Sequence, residues 1–177
     1  MSAARSIFTK PSRLIIALAV FIFAFDQITK WVVLRTLRIG DEKVVIPGFF
    51  HLVHRENTGA AFSQFTGNNA ILAAVALVAL FVLYFSRHHF NAHTLTGRFA
   101  FGLIFGGIIG NLTDRLLPTR HAVVDFLYFF MQRRGSSEPL EFPAFNVADS
   151  AICTGVALIF LISWKNESAP QPATSGK

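Results

Sequence analysis

The chain of 177 residues has little cysteine and few charged side chains. Its single cysteine, Cys153, lies within an apolar run, so no disulfide bond can form within the chain. Only 15% of the residues are charged, whereas 53% are hydrophobic and 20 are Phe. This composition argues against an ordinary soluble domain and indicates membrane-spanning segments.

Several signatures of common site types are also missing. The chain has no serine nucleophile elbow and no Walker phosphate loop. His51 and His54 are three residues apart, which is weak evidence for a metal site, so we expect no metal and no other cofactor. The net charge of +6 is scattered over short loops without a basic stripe between aromatics, so we expect no nucleic-acid partner.

Four long apolar segments dominate the chain, and each approaches the roughly 20 residues that cross a ~30 Å hydrocarbon layer. They cover about residues 14–34, 70–86, 99–117 and 147–164. The first segment continues into FDQITKWVVL without a small-residue cleavage site, so we interpret it as an uncleaved span. The pattern predicts an all-α membrane protein, a four-transmembrane-helix bundle formed by a single domain over residues 1–164. A disordered cytoplasmic tail is expected over 165–177.

The loops predict an orientation in the membrane. Four spans place both termini on one side, and the density of Lys and Arg near the span ends favours the cytoplasm for that side. The two longer loops, about residues 38–69 and 118–145, then lie outside. The first of them contains DEKVVIPGFFHLVHREN, whose short alternating apolar runs and Pro-Gly turn predict a small strand-containing cap.

Polar residues interrupt three of the four spans. With a helical rise of ~1.5 Å per residue, Asp26 and Asn111 each lie roughly 18 Å from the inner end of their spans. Asp149 lies roughly 22 Å from the inner end of the fourth span. Because alternate spans run in opposite directions, we expect the three residues to meet near the outer face. Ionisable residues at membrane depth are costly and usually mark function.

Structural explanations compete with a functional one for these residues. Asp26 and Lys30 have the i, i+4 spacing of a helix-surface ion pair, and Arg115 could extend its charge to the membrane interface. Asn146 is a suitable helix N-cap, which would place Asp149 at the third helical position near the positive end of the helix dipole.

Asp125 is harder to explain structurally. Five consecutive apolar residues follow it, at positions 126–130, and no basic residue lies within three positions. If Asp125 folds back towards Asp149, the two like charges cannot both ionise, so one carboxyl group keeps a proton while the other can deprotonate water. Such a pair can hydrolyse an amide without a metal or a covalent intermediate.

Two readings from other classes stay open on the residues alone. A small proton-coupled transporter also uses intramembrane acids, but it would be expected to place its key acid near the midplane. A structural membrane scaffold, in which every polar residue is a cap or an ion pair, leaves Asp125 unexplained.

Five blocks of sequence together resemble the bacterial lipoprotein signal peptidase family, also called signal peptidase II. They are DQITK (26–30), NTGAAFS (57–63), GGIIGNLTDRL (107–117), VVDFL (123–127) and FNVADSAI (145–152). The resemblance covers about residues 14–164. It implies a four-helix aspartyl endopeptidase of the bacterial inner membrane, with its site near the periplasmic face. The family cleaves prolipoproteins just before a diacylglyceryl-modified cysteine.

The resemblance also implies the site residues and partners. Asp125 and Asp149 would be the catalytic dyad. The residues that bind substrate or organise the site would be Asn57, Gly59, Asn111, Arg115, Asn146, Asp26 and Lys30. The expected partners are diacylglyceryl-modified prolipoproteins and membrane lipid, and the protein is expected to be a monomer.

Two further expectations concern helix packing and a loop. Gly102, Gly106 and Gly110 repeat every four residues, a pattern that lets membrane helices approach closely. Under the resemblance, the same small side chains would leave room for the signal helix of the substrate to dock. MQRRGSSEPLEFP (131–143) looks a few residues longer than is usual in the family, so no detail of the loop that covers the substrate is carried over.

Overall fold

A computed structural model describes residues 12–59, 68–120, 122–133, 135 and 139–167. Its helices are α1 (Arg13–Thr36), α2 (Asn69–Ser86), α3 (Leu95–Leu116) and α4 (Val147–Glu167). Its strands are β1 (Glu42–Ile46), β2 (Phe50–Asn57), β3 (Val123–Met131) and β4 (Leu140–Glu141). All four helices are long and apolar enough to cross a membrane, which agrees with the four predicted spans.

The helix ends differ from the predicted span ends by up to four residues. α3 begins at Leu95 and not near residue 99, because the Thr94 hydroxyl caps it by accepting the Gly97 N–H at 3.0 Å. α4 continues to Glu167, beyond the predicted span end at 164. Residues 168–177 of the predicted tail lie outside the described residues.

The strands form one antiparallel sheet in the order β1-β2-β3-β4. The connection between α1 and α2 supplies β1 and β2, so the strands predicted there are present. β3 was not predicted, although VVDFLYFFM is rich in the β-branched and aromatic residues that favour strands. All-α is therefore too narrow a description, since Asp125 lies on a strand in the middle of a sheet.

Helix α3 is the centre of the helical part, because it packs against each of the other three helices. A Cβ atom built at Gly106 would lie 2.7 Å from the Ala19 carbonyl oxygen of α1, and one built at Gly110 would lie 2.6 Å from the Asp26 carboxylate. Together with Gly102, which faces Leu18, these glycines bring α1 against α3. The expectation that they leave room for a substrate helix is therefore wrong.

A short backbone ladder connects the sheet to α4. The N–H groups of Phe126 and Leu127 both donate to the Phe145 carbonyl, at 3.0 and 2.8 Å, and the Phe145 N–H donates back to the Leu127 carbonyl at 3.0 Å. These bonds fix the residue before Asn146 beside β3. The start of α4 therefore lies next to Asp125.

The outward surfaces of the helices are apolar. Phe21 on α1, Val78 on α2 and Phe160 on α4 are each about 60% exposed, with values of 64%, 62% and 60%. Such side chains are costly in water but suit contact with lipid. The buried charged side chains of α1 and α3, namely Asp26, Lys30 and Asp114, instead gather near the sheet.

We predict that Gly106→Leu destabilises the protein. The added side chain must displace α1 backbone at Ala19, and overpacking of this kind costs about 1–3 kcal/mol. The measurement is thermal unfolding of the purified protein in detergent. Ala157→Leu adds similar bulk at an exposed position of α4 and should leave the unfolding temperature unchanged. Equal unfolding temperatures for Gly106→Leu and the control would contradict the described packing.

Candidate active site

Asp125 and Asp149, from a strand and a helix, are joined through one residue. Asp125 is only 3% exposed on β3, and Asp149 is the third residue of α4. The Asn146 side chain donates from Nδ2 to Asp125 Oδ1 at 2.7 Å, while its backbone N–H donates to Asp149 Oδ2 at 3.2 Å. The structure thus brings together the two acids that the sequence analysis paired.

The start of α4 is a capping box. The Asp149 N–H donates to Asn146 Oδ1 at 2.9 Å, and the Asp149 carboxylate accepts the Asn146 N–H in return. The Ala148 N–H, which also lacks a partner within the helix, donates to Asp26 Oδ1 at 3.0 Å. The predicted N-cap role of Asn146 is confirmed, and it coexists with the contact between Asn146 and Asp125.

The Asp125 carboxylate is supported by the end of β2 and the residues that follow it. Asn57 donates from Nδ2 to Asp125 Oδ2 at 2.9 Å, and its Oδ1 accepts the Gly59 N–H at 2.9 Å. The guanidinium of Arg115 donates to the Gly59 carbonyl at 2.8 Å and to Asn69 Oδ1 at 2.8 Å. Arg115 therefore turns inward to hold this segment of the chain.

The Asp149 carboxylate is supported from α1 and α3. Asn111 donates from Nδ2 to Asp149 Oδ1 at 2.7 Å, and its Oδ1 accepts from Lys30 Nζ at 2.9 Å. Lys30 has no exposed side-chain surface, and its Nζ also lies 2.8 Å from Asp26 and 2.7 Å from Asp114. Three acceptors match the three donors of an ammonium group. The predicted Asp26–Lys30 pair is present, but it is buried within the site.

The environment of Asp125 favours its protonated form. Burial, together with the nearby Asp149 carboxylate, raises the pKa of Asp125 from 3.8 to about 7. Hydrogen bonds from Asn57 and Asn146 and the charge of Lys30 lower this pKa, but burial outweighs them. Asp125 therefore exchanges its proton near neutral pH, as a general acid or base must.

All nine site residues implied by the resemblance belong to this connected set of contacts. Four further residues join it that the sequence analysis did not select, namely Gln27, Asn69, Asp114 and Arg120. Gln27 and Asp114 stand next to selected residues, and Asn69 heads an apolar run as Asn146 does. Nothing in the sequence distinguished Arg120 as a site residue, because it was one of several basic residues in a loop.

Parts of two predicted segments lie outside the described residues. In NTGAAFS this applies to residues 60–63, so the description ends at Gly59. In the longer loop 131–143 it applies to residues 134 and 136–138, while Gly135 has a positive φ of 80° and β4 follows.

Comparison with known proteins gives a consistent result. A sequence profile described as Signal peptidase (SPase) II matches residues 18–165. The lipoprotein signal peptidase of Symbiobacterium thermophilum is 41% identical over 147 residues, which cover 82% of this chain and 91% of that protein. The lipoprotein signal peptidase of Bacillus pumilus is 34% identical over 145 residues, covering 81% and 88%.

A solved structure is also similar. It is described as a bacterial membrane enzyme determined at 2.3 Å resolution by the in meso method. The two chains share 33% sequence identity and superpose with a TM-score of 0.71. The similarity covers 92% of this chain and 94% of the other.

We predict that Asp125 makes the protein less stable as the pH rises from about 4 to about 7. Its pKa is higher in the folded state than the unperturbed 3.8, so in this window the folded state binds more protons than the unfolded state. Asp125→Asn should therefore show a smaller fall in unfolding temperature between pH 5 and pH 8 than the wild type.

The control for this measurement is Glu56→Gln, which changes an exposed acid on β2. It should keep the wild-type dependence of unfolding temperature on pH. If Asp125→Asn and the wild type lose equal stability over this range, the raised pKa of Asp125 is excluded.

Proposed function

The chain belongs to the signal peptidase II family, and we propose that Asp125 and Asp149 are its catalytic pair. The family removes signal peptides from lipoproteins, and the four apolar helices fit a multi-pass bacterial membrane protein. The bond that is cut lies before the diacylglyceryl-modified cysteine of a prolipoprotein. One observation carries the proposal, namely that Asn146 hydrogen-bonds to both carboxylates at the start of α4.

Asp149 acts as the base in this proposal and Asp125 as the acid. Each carboxylate accepts two hydrogen bonds, but Asp149 also lies at the positive end of a helix. In addition, the amide that donates to Asp149 is polarised by Lys30. Asp125 lies on a strand, and burial raises its pKa to about 7. The proton of the pair is therefore best placed on Asp125.

The reaction then proceeds in two steps, and the substrate never forms a covalent bond with the enzyme. Asp149 removes a proton from water, whose oxygen attacks the scissile carbonyl carbon, while Asp125 gives its proton to the carbonyl oxygen. The tetrahedral product collapses when the leaving nitrogen takes a proton from Asp149 and the C–N bond breaks. The hydroxyl proton returns to Asp125, so the pair ends as it began.

The orientation of the protein is part of the proposal. The site lies at the ends of the helices that join the sheet. Basic residues occur at both helix ends, including Arg35 and Arg115 at the sheet end. Relative to loop length they are denser at the opposite ends, which carry Arg13, Arg87, Arg98 and Lys165. Because positive charge accumulates on the cytoplasmic side, both termini are cytoplasmic and the site faces the periplasm across the inner membrane.

The assembly state and the domain limits complete the proposal. The proposed enzyme is a monomer, and it consists of a single domain over residues 1–164, since α1, α3, α4 and β3 all contribute side chains to one site. The proton-coupled transporter and the scaffold lose their basis, because the similar curated proteins are peptidases. The polar residues also gather at one end of the helices, whereas a transporter site lies near the midplane.

We predict that Asp125→Asn and Asp149→Asn each reduce cleavage of a diacylglyceryl-modified prolipoprotein by at least about a hundredfold, since each removes general acid or base catalysis. The measurement is turnover by the purified protein in detergent or lipid, with folding checked by thermal unfolding. Asp41→Asn makes the same chemical change at an exposed acid and should keep wild-type turnover. Near-normal turnover by either folded dyad variant would show that the aspartate is structural.

A further inference from the structure

A second group of polar residues contacts the two carboxylates that bind Lys30, those of Asp26 and Asp114. The Arg120 guanidinium donates to Gln27 Oε1 at 3.0 Å and to the Asp114 carboxylate. Gln27 in turn donates from Nε2 to Asp26 Oδ2 at 3.1 Å and to Asp114 Oδ1 at 3.3 Å. Neither the family resemblance nor the proposed mechanism gives Gln27, Asp114 or Arg120 a role.

The charges of this group balance only if Arg120 is included. Asp26 and Asp114 have no exposed side-chain surface and share the single ammonium of Lys30. Arg120 supplies the second positive charge through its contact with Asp114, and its own side chain is only 16% exposed. Without Arg120, two buried carboxylates would compete for one ammonium, and an unpaired buried charge is strongly unfavourable.

The Lys30 ammonium is the nearer of two donors that orient the Asn111 amide, at 2.9 Å against 3.3 Å for Asn146 Nδ2. Lys30 can only donate, so the amide end that faces it must be the oxygen. The NH₂ end therefore faces Asp149. If Lys30 moves towards an uncompensated Asp114, it leaves Asn111 Oδ1, and that oxygen keeps only the longer hydrogen bond from Asn146 Nδ2, at 3.3 Å. The Asn111 amide is then held less firmly.

We propose that Arg120, with Asp114 and Gln27, positions Lys30 so that Asn111 donates its hydrogen bond to Asp149. Arg120 is a positioning residue, because it acts on Asp149 through Asp114, Lys30 and Asn111 and touches no reacting atom. This inference rests on the proposed function, since it takes Asp149 as the base.

The first test is the kinetics of Arg120→Gln, which removes the charge but keeps a polar side chain. We expect kcat for prolipoprotein cleavage to fall about tenfold, the size of one strong coupling between neighbouring residues, with KM unchanged. Arg120→Lys, which keeps the charge, should recover part of the loss. Arg38→Gln removes an exposed arginine just after α1 and should have wild-type kinetics.

The pH profile separates a positioning role from a structural one. Besides Lys30, the charged groups that face Asp149 are Arg115 from α3 and Asp125 from β3. These are unchanged in Arg120→Gln, whereas the hydrogen bond that favours the Asp149 carboxylate is weakened. The acidic limb of the profile of kcat against pH should therefore move to higher pH. A fall in unfolding temperature with an unmoved profile would overturn the proposal.

A double-mutant cycle with Asn111→Ala tests whether the effect of Arg120 on Asp149 passes through Asn111. If Arg120 acts through Asn111, Arg120→Gln should reduce kcat less than twofold once the amide is absent. Equal losses in the presence and absence of Asn111 would overturn the proposal, as would wild-type kcat in Arg120→Gln. Failure of the wild type to cleave the prolipoprotein would instead refute the proposed function, so the two failures are distinguishable.

Discussion

The need to satisfy one buried positive charge organises the structure around the candidate site. Lys30 has no exposed surface, and its ammonium must bind three acceptors because lipid offers none. One acceptor comes from its own helix, and two come from α3. These bonds, with the close approach at Gly106 and Gly110, fix α1 against α3. The same Asp26 that binds Lys30 caps α4, so the charge also determines where the fourth helix begins.

The two carboxylates are supported by parallel arrangements from opposite sides. On each side, a cationic side chain from a helix donates to an oxygen atom, either of an asparagine or of a residue that the asparagine contacts. The side-chain amide of that asparagine then donates to the carboxylate. Arg115 acts on Asp125 through Gly59 and Asn57, and Lys30 acts on Asp149 through Asn111 alone. Because fewer residues link Lys30 to Asp149, the Asn111 amide has less conformational freedom than the Asn57 amide. This asymmetry gives two chemically identical side chains different environments, which an acid and base pair requires.

Sequence alone predicted the helices well because hydropathy reports directly on burial in lipid. It also predicted that Asp26, Asn111 and Asp149 would meet, since helical rise and alternating direction fix their heights. It did not predict β3, because a short run of apolar residues fits a strand and a buried helical segment equally well. It also did not select Arg120, whose proposed role combines a contact with Asp114, six residues earlier, and one with Gln27 on α1, 93 residues away. Long-range partners of this kind are not encoded in local spacing.

The hydrogen bond between the Ala148 N–H and Asp26 has a consequence for how the protein is made. It joins residues 122 positions apart, on α1 and α4. A chain emerging from the ribosome therefore carries Asp26 through synthesis of the first three helices without the partner that α4 supplies. The candidate site is complete only after the fourth helix has been inserted. Assembly of the site is thus tied to insertion of α4, so a product truncated before this helix lacks the site.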